Sequence, residues 1–347
     1  MSSHVALCLI HSVAEDQGYL IMAMDWRGMS SFDMPVVMKT ALSTPSLFQA
    51  TRDNLIQGYA NKLVLQHFAQ NGLLDSEWLR FVGRKSGEVF SIPRYSKAPT
   101  SIFYGSSQGG ILGAGYTTLL GPTGLINRAI LGVPGASFSL IMSRSGGFET
   151  YDGLLIKNFY HNRHVRILLS ILQLGWDPVE ATGMLAPPVK EKFPPILLQS
   201  GLGDAIIPTM ATEALARAYN ASVLPGSPRK SIFGIRKAEN QSFHPDGTTF
   251  HDDRPRVTWT EILYEKEYQN LPIDNVDTSK ENQVHMCLRQ DCALIAQMAE
   301  FINTGQIVDP CYKDNCLRTT IPCYLYWKET NTKPSNWTCT YNQTFSP

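Results

Sequence analysis

The sequence predicts an α/β fold organised around a doubly wound, mostly parallel sheet, and two patterns carry that expectation. Short continuous apolar runs recur at 19–24, 101–104, 128–133 and 195–199, without the in-out alternation of a half-exposed sheet. Parallel strands read this way because their crossover helices cover both faces. Between the runs lie stretches with helical spacing of apolar residues, so strand and helix alternate along the chain. At 347 residues the chain is long enough to bury a large core in one domain with insertions.

Taken in order, the first apolar run, 19–24, reads as a strand and leads into "MDWRGMSSFD". From 47 to 74, Leu55, Ile56, Tyr59, Leu63, Val64 and Phe68 keep helical spacing, and Asn71-Gly72 supplies a stop. The run at 101–104 ends in a Gly-rich turn and then small apolar residues, which reads as strand, abrupt turn and helix. Residues 147–192 are helix-rich and aromatic, bounded by Gly146-Gly147 and by two proline pairs, and read as a helical cap inserted over the sheet. The strand at 195–199 follows. Residues 236–282 form a second irregular stretch containing "HPDGTTFHDD" and a strand-like "RVTWTEILY". An amphipathic helix over 288–302 stops at Gly305. The expected organisation is therefore a core half at 1–146, a cap at 147–192, a second core half at 193–305, and a Cys-rich tail at 306–347.

The turn after 101–104 reads Gly105-Ser106-Ser107-Gln108-Gly109, which is G-x-S-x-G. A nucleophile at the tip of a sharp strand-to-helix turn has strained backbone angles, and the residues two before and two after it crowd each other unless they are glycine. Gly110 and Gly113 allow the following helix to pack closely on the sheet. Ser107, not Ser106, then stands at the helix N-terminus, where backbone N–H groups and the positive end of the dipole face a developing oxyanion. The Gln108 N–H is the first donor. A phosphate cradle is a poor fit, because no G-K-[ST] follows and no acidic residue completes a dinucleotide fingerprint.

This stretch resembles the α/β-hydrolase superfamily, whose triad runs Ser, then Asp or Glu, then His along the chain. The resemblance covers roughly residues 19–303 and implies an acid after a later strand and a His before a closing helix. Asp204 is the acid candidate: "ILLQSGLGDAIIP" is an apolar strand ending in a Gly-rich turn, at the carboxyl end where open α/β sheets present their ligands. An Asp there also suits an Asx-turn or a helix cap. His285, just before the closing helix, is the His candidate, with His244 and His251 as rivals. "AMDWRGMSSFD" also matches the superfamily; Asp25 and Arg27 are expected to form an ion pair or hydrogen bonds and carry no catalysis. In the superfamily a loop after an earlier strand, commonly His-Gly, supplies the second oxyanion donor. Here "MSSHVALCLIHSVAEDQG" reads as the helix after that loop, so the chain is expected to be a fragment lacking the first strands, with half its oxyanion hole missing.

Lys+Arg and Asp+Glu both number 30, and charged residues make up only 17%, so nothing in the charge pattern points to nucleic acid or an acidic membrane surface. A small neutral acyl substrate fits better. No stretch approaches the roughly 18 consecutive apolar residues of a membrane span. His161 and His164 lie three apart on an expected helix, but no H-E-x-x-H accompanies them, so they read as solvated residues and no metal or organic cofactor is expected. Six of the seven cysteines (Cys287, Cys292, Cys311, Cys316, Cys323, Cys339) fall late, as do sequons at Asn220, Asn240, Asn336 and Asn342. Together they favour disulfides, glycosylation and a secreted protein over a cytoplasmic one, although the first residues do not read as a signal peptide. Cys8 reads as a small buried residue.

The expected function is serine hydrolysis of a carboxylic ester through an acyl-enzyme on Ser107, with His285 as base and Asp204 orienting it. A serine peptidase of the same fold is the runner-up. A catalytically impaired hydrolase-fold binding protein is the reading from a different class.

Overall fold

A computed structural model of the chain describes residues 19–73, 80–82, 85–91, 100–185, 193–238, 257–264, 284–310 and 317–318. Its strands are β1 (Arg80–Val82), β2 (Val89–Ser91), β3 (Ile102–Ser106), β4 (Arg128–Gly132), β5 (Ile196–Gly201), β6 (Ser222–Val223), β7 (Arg236–Lys237), β8 (Val257–Tyr264) and β9 (Leu317–Arg318). The main sheet runs β3-β4-β5-β8-β6-β7, and β9 pairs with the end of β8. Every pairing in it is parallel: Tyr104 faces Ile130, Leu131 faces Leu198, and Ile196 faces Val257. β1 and β2 form a separate antiparallel pair.

Helices cover both faces, and the strand residues alternate between two cores accordingly. Phe103, Leu131, Leu198 and Trp259 point into the larger core, while Ile130 and Leu197 point into a smaller one with Met298, Phe301 and Ile302. The helices are α1 (Met34–Leu42), α2 (Phe48–Asn71), α3 (Gln108–Leu120), α4 (Phe138–Met142), α5 (Glu149–Phe159), α6 (Asn162–Trp176), α7 (Ala181–Met184), α8 (Thr209–Ala218), α9 (Val284–Cys287) and α10 (Cys292–Thr304). No helix among the described residues is long and apolar enough to cross a membrane.

Helix α2 stops where Asn71-Gly72 predicts, with the Gly72 N–H closing on the Phe68 carbonyl. Of the six apolar residues at helical spacing, only Leu55 and Tyr59 are buried; Ile56, Leu63, Val64 and Phe68 are exposed. Helices α5, α6 and α7 fall inside the expected 147–192 insertion. Their start is tied to the turn after β5 by Gly146 N–H to the Ala205 carbonyl (2.8 Å), and Trp176 and Val179 join the larger core.

Two expectations need correction, and a third gains its place in the sheet. Residues 19–24 pair with no described strand, and Leu20 is 54% exposed, so the run is chain without regular secondary structure rather than a buried strand. Apolar composition alone does not make a strand; a hydrogen-bonded neighbour does. The strand-like segment "VTWTEILY" is a strand, β8, and it lies inside the main sheet, held between β5 and β6. Two of its polar positions have buried partners: the Thr260 hydroxyl meets Gln297, and Glu261 meets Arg229. The closing helix begins at Cys292 rather than 288, because the Asp291 side chain accepts the Ala293 and Leu294 N–H groups and caps a new helix. His285 sits before that helix, on the single turn α9. Most of the 306–347 tail lies outside the described residues.

Candidate active site

Ser107 terminates β3 and is the N-cap of α3, with φ 59° and ψ −124°. A positive φ on a serine is strained, and the surroundings hold it there: its N–H donates to the Gly132 carbonyl on the neighbouring strand at 2.9 Å, and its own carbonyl accepts the Gly110 and Ile111 N–H groups. The turn is sharp enough that a Cβ on Gly105 would come within 2.1 Å of the Gly109 carbonyl oxygen. The sequence-based account of the second glycine is wrong, however. A Cβ on Gly109 would meet nothing within 4 Å. Gln108 is the first residue of α3, where a backbone N–H has no intrahelical acceptor, and it is exposed.

Asp204 lies in the turn after β5 and is only 2% exposed. Its two oxygens are divided. Oδ1 accepts the Ile206 and Ile207 N–H groups at 2.8 and 2.9 Å, the Asx-type turn expected of an Asp at that place. Oδ2 lies 2.8 Å from His285 Nδ1. The local turn therefore holds the carboxylate while it reaches across the fold.

His285, 3% exposed, places Nε2 at 2.8 Å from Ser107 Oγ. A proton on Nδ1 satisfies both contacts, since Nδ1–H then donates to Asp204 and Nε2 accepts from the Ser107 hydroxyl. The helix that follows His285 is anchored by a buried amide pair: Gln199 on β5 donates to the Leu294 carbonyl (3.0 Å) and to Gln297 Oε1 (2.9 Å), which ties α10 to the sheet. The structure thus brings Ser107, His285 and Asp204 together, with Gln108 beside the serine.

Sequence reasoning missed Arg289. Its Nη2 lies 2.7 Å from His285 Nε2, so it offers a second donor to the nitrogen that faces Ser107. Burial holds the guanidinium below its ordinary pKa, although Tyr104 and Asp204 pull the other way. Two cations about 4 Å apart repel by about 4 kcal/mol at the effective dielectric of a protein surface, so the contact matters once His285 is protonated. The available signal was its spacing, four residues after His285, which puts both side chains on one face of a helical turn.

Other candidates stay apart from this cluster. Arg27 Nε donates to Asn54 (3.3 Å), and among the described residues it makes no ion pair with Asp25. In that turn Asp33 does the work, accepting from Gly28 N–H, Ser30 N–H and the Ser30 hydroxyl. His161 caps α6 by accepting the Arg163 N–H, with His164 5.8 Å away ring to ring. Among the described residues no group of His, Cys, Asp and Glu could hold a metal ion. His244, His251, the other sequons and every cysteine except Cys287 and Cys292 lie outside the described residues; Asn220 is exposed at the end of α8.

No family model matches the chain, and no curated protein or solved structure matches it.

Proposed function

We propose that this chain is a serine hydrolase of the α/β-hydrolase type that cleaves carboxylic esters through an acyl-enzyme on Ser107. The observation that carries the reading is one continuous chain of contacts, Ser107 Oγ to His285 Nε2 and His285 Nδ1 to Asp204 Oδ2, each 2.8 Å. It hangs on a serine at φ 59°, between a parallel strand and a helix N-terminus.

In the proposed reaction His285 Nε2 takes the hydroxyl proton as Ser107 Oγ attacks the acyl carbon. The imidazolium is stabilised by Asp204, which stays ionised and keeps the Nδ1 proton in place. Negative charge gathers on the former carbonyl oxygen, and the Gln108 N–H at the start of α3 is suited to receive it. Nε2 then returns the proton to the leaving alcohol oxygen as the acyl C–O bond breaks. Water repeats the sequence on the acyl-enzyme.

The test is covalent labelling with a fluorophosphonate, read together with hydrolysis of an activated ester. Ser107→Ala should abolish both, and Ser106→Ala should keep most of each. Equal behaviour of the two variants sinks the assignment. Absence of labelling in the unmodified chain leaves a hydrolase-fold binding protein as the better account.

A further inference from the structure

We propose that Arg289 recognises an anionic oxygen group, carboxylate or phosphate, carried by the leaving alcohol of the ester. The inference rests on the reading of Ser107 as nucleophile and adds the substrate class to it: a neutral acyl group on an alcohol that bears a negative charge close to the scissile oxygen.

The first support is an unmatched cation. Among the described residues no carboxylate forms a salt bridge with Arg289, and its Nε is buried without a hydrogen-bond partner. The nearby acid, Asp204, already spends one oxygen on His285 and the other on two backbone N–H groups. Tyr104, the other neighbour, is a phenol that burial pushes above its ordinary pKa, so it offers no charge. A guanidinium taken out of water usually has a hydrogen-bonded anion, preferably one that engages two of its N–H groups together.

The second support is position. Nη2 stands 2.7 Å from His285 Nε2, the atom that receives the Ser107 proton and returns it to the departing oxygen. Whatever Arg289 binds therefore lies beside the leaving group. The resting contact is also incompatible with the working state, because a protonated Nε2 has no lone pair for Arg289 and would face it as a second cation. A substrate anion resolves both conflicts: it draws Arg289 Nη2 away from His285 Nε2, matches the guanidinium charge and supplies a counter-charge to the imidazolium. The anion itself is unchanged by the reaction. The proton passes from Ser107 to Nε2 to the alcohol oxygen, and the acyl C–O bond is the one broken.

The experiment compares butyryl esters of three matched phenols, 3-hydroxybenzoate, 3-hydroxyphenyl phosphate and 3-hydroxybenzamide, alongside fluorophosphonate labelling. The unmodified chain should favour at least one anionic ester over the neutral amide by about 10-fold or more in kcat/KM. Arg289→Met should bring the three within about twofold of one another, and Arg289→Lys should restore part of the preference. A chain that labels on Ser107 and hydrolyses the amide ester as fast as both anions overturns the inference while the hydrolase reading stands. Equal loss on all three esters in both variants also overturns it, since that marks a role common to every substrate. If nothing labels and no ester is cleaved, the hydrolase reading fails, and this inference falls with it.

Discussion

Asp204 Oδ2 and His285 Nδ1 are 2.8 Å apart although 81 positions separate the two residues in the chain. The contact fixes which imidazole nitrogen faces Ser107. His285→Ala should therefore lower kcat/KM by at least about 1,000-fold, and Asp204→Asn should be severe because it permits the wrong tautomer. Residues acting as a unit lose function together, so the double variant should be little worse than His285→Ala alone. Multiplying losses in single-turnover kinetics would show that the two act separately.

The two glycines flanking the serine should respond differently to alanine. Gly105→Ala drives a Cβ into the Gly109 carbonyl, a backbone atom that has no room to yield. Loss of phosphonate labelling and destabilisation by more than about 3 kcal/mol are expected. Gly109→Ala adds a methyl in open space and should remain within about 1 kcal/mol of the parent. Denaturant melts with labelling check both; similar costs at the two positions would contradict the geometry of the turn.

Glu180 predicts a pH dependence of stability. It is 1% exposed, and burial pushes its carboxyl up to about 7, against hydrogen bonds from Gln173 and the Phe138 N–H that favour the charged form. The group protonates more readily folded than unfolded. Its stabilising contribution is thus complete below about pH 4.5 and is lost as pH rises through about 7. The separation corresponds to about 3 kcal/mol. Urea unfolding at pH 5 and pH 8 should show the parent losing stability over that interval and Glu180→Gln losing less. Identical slopes would remove Glu180 as the cause.

Arg229 joins Glu261 on β8 to Glu213 on α8, with Arg229 Nη2 and Glu261 Oε1 2.5 Å apart and the Glu261 side chain fully buried. Arg229→Met leaves Glu261 without its cation and should cost about 3–5 kcal/mol. Adding Glu261→Gln should recover part of that loss, because the stranded charge goes with it. A double variant as unstable as the single would assign the cost to packing against Trp259, whose ring lies 5.6 Å from the guanidinium.

Features governed by near neighbours were readable from the chain alone. The strand, turn and helix around Ser107 follow from glycines and β-formers within a dozen residues, and so do the end of α2 at Asn71-Gly72 and the turn that holds Asp204. Each depends on the sterics of a few consecutive residues or on a side chain bonding its own backbone two or three positions on. The superfamily resemblance then ordered the candidates Ser107, Asp204 and His285. Only the folded chain decided matters that need a partner from far away. The run at 19–24 is as apolar as a strand but pairs with none of the described strands. β8 is strand-like in the sequence, but its place inside the sheet was not legible there, because Gln297 and Arg229 arrive from elsewhere to satisfy Thr260 and Glu261. Arg289 is an unremarked surface-type residue in the sequence, and it stands beside His285 Nε2 because the chain turns through α9 just before Asp291 caps α10. Burying a polar group is tolerable only once its partner is in place, and that partner is a property of the assembled fold rather than of any local stretch.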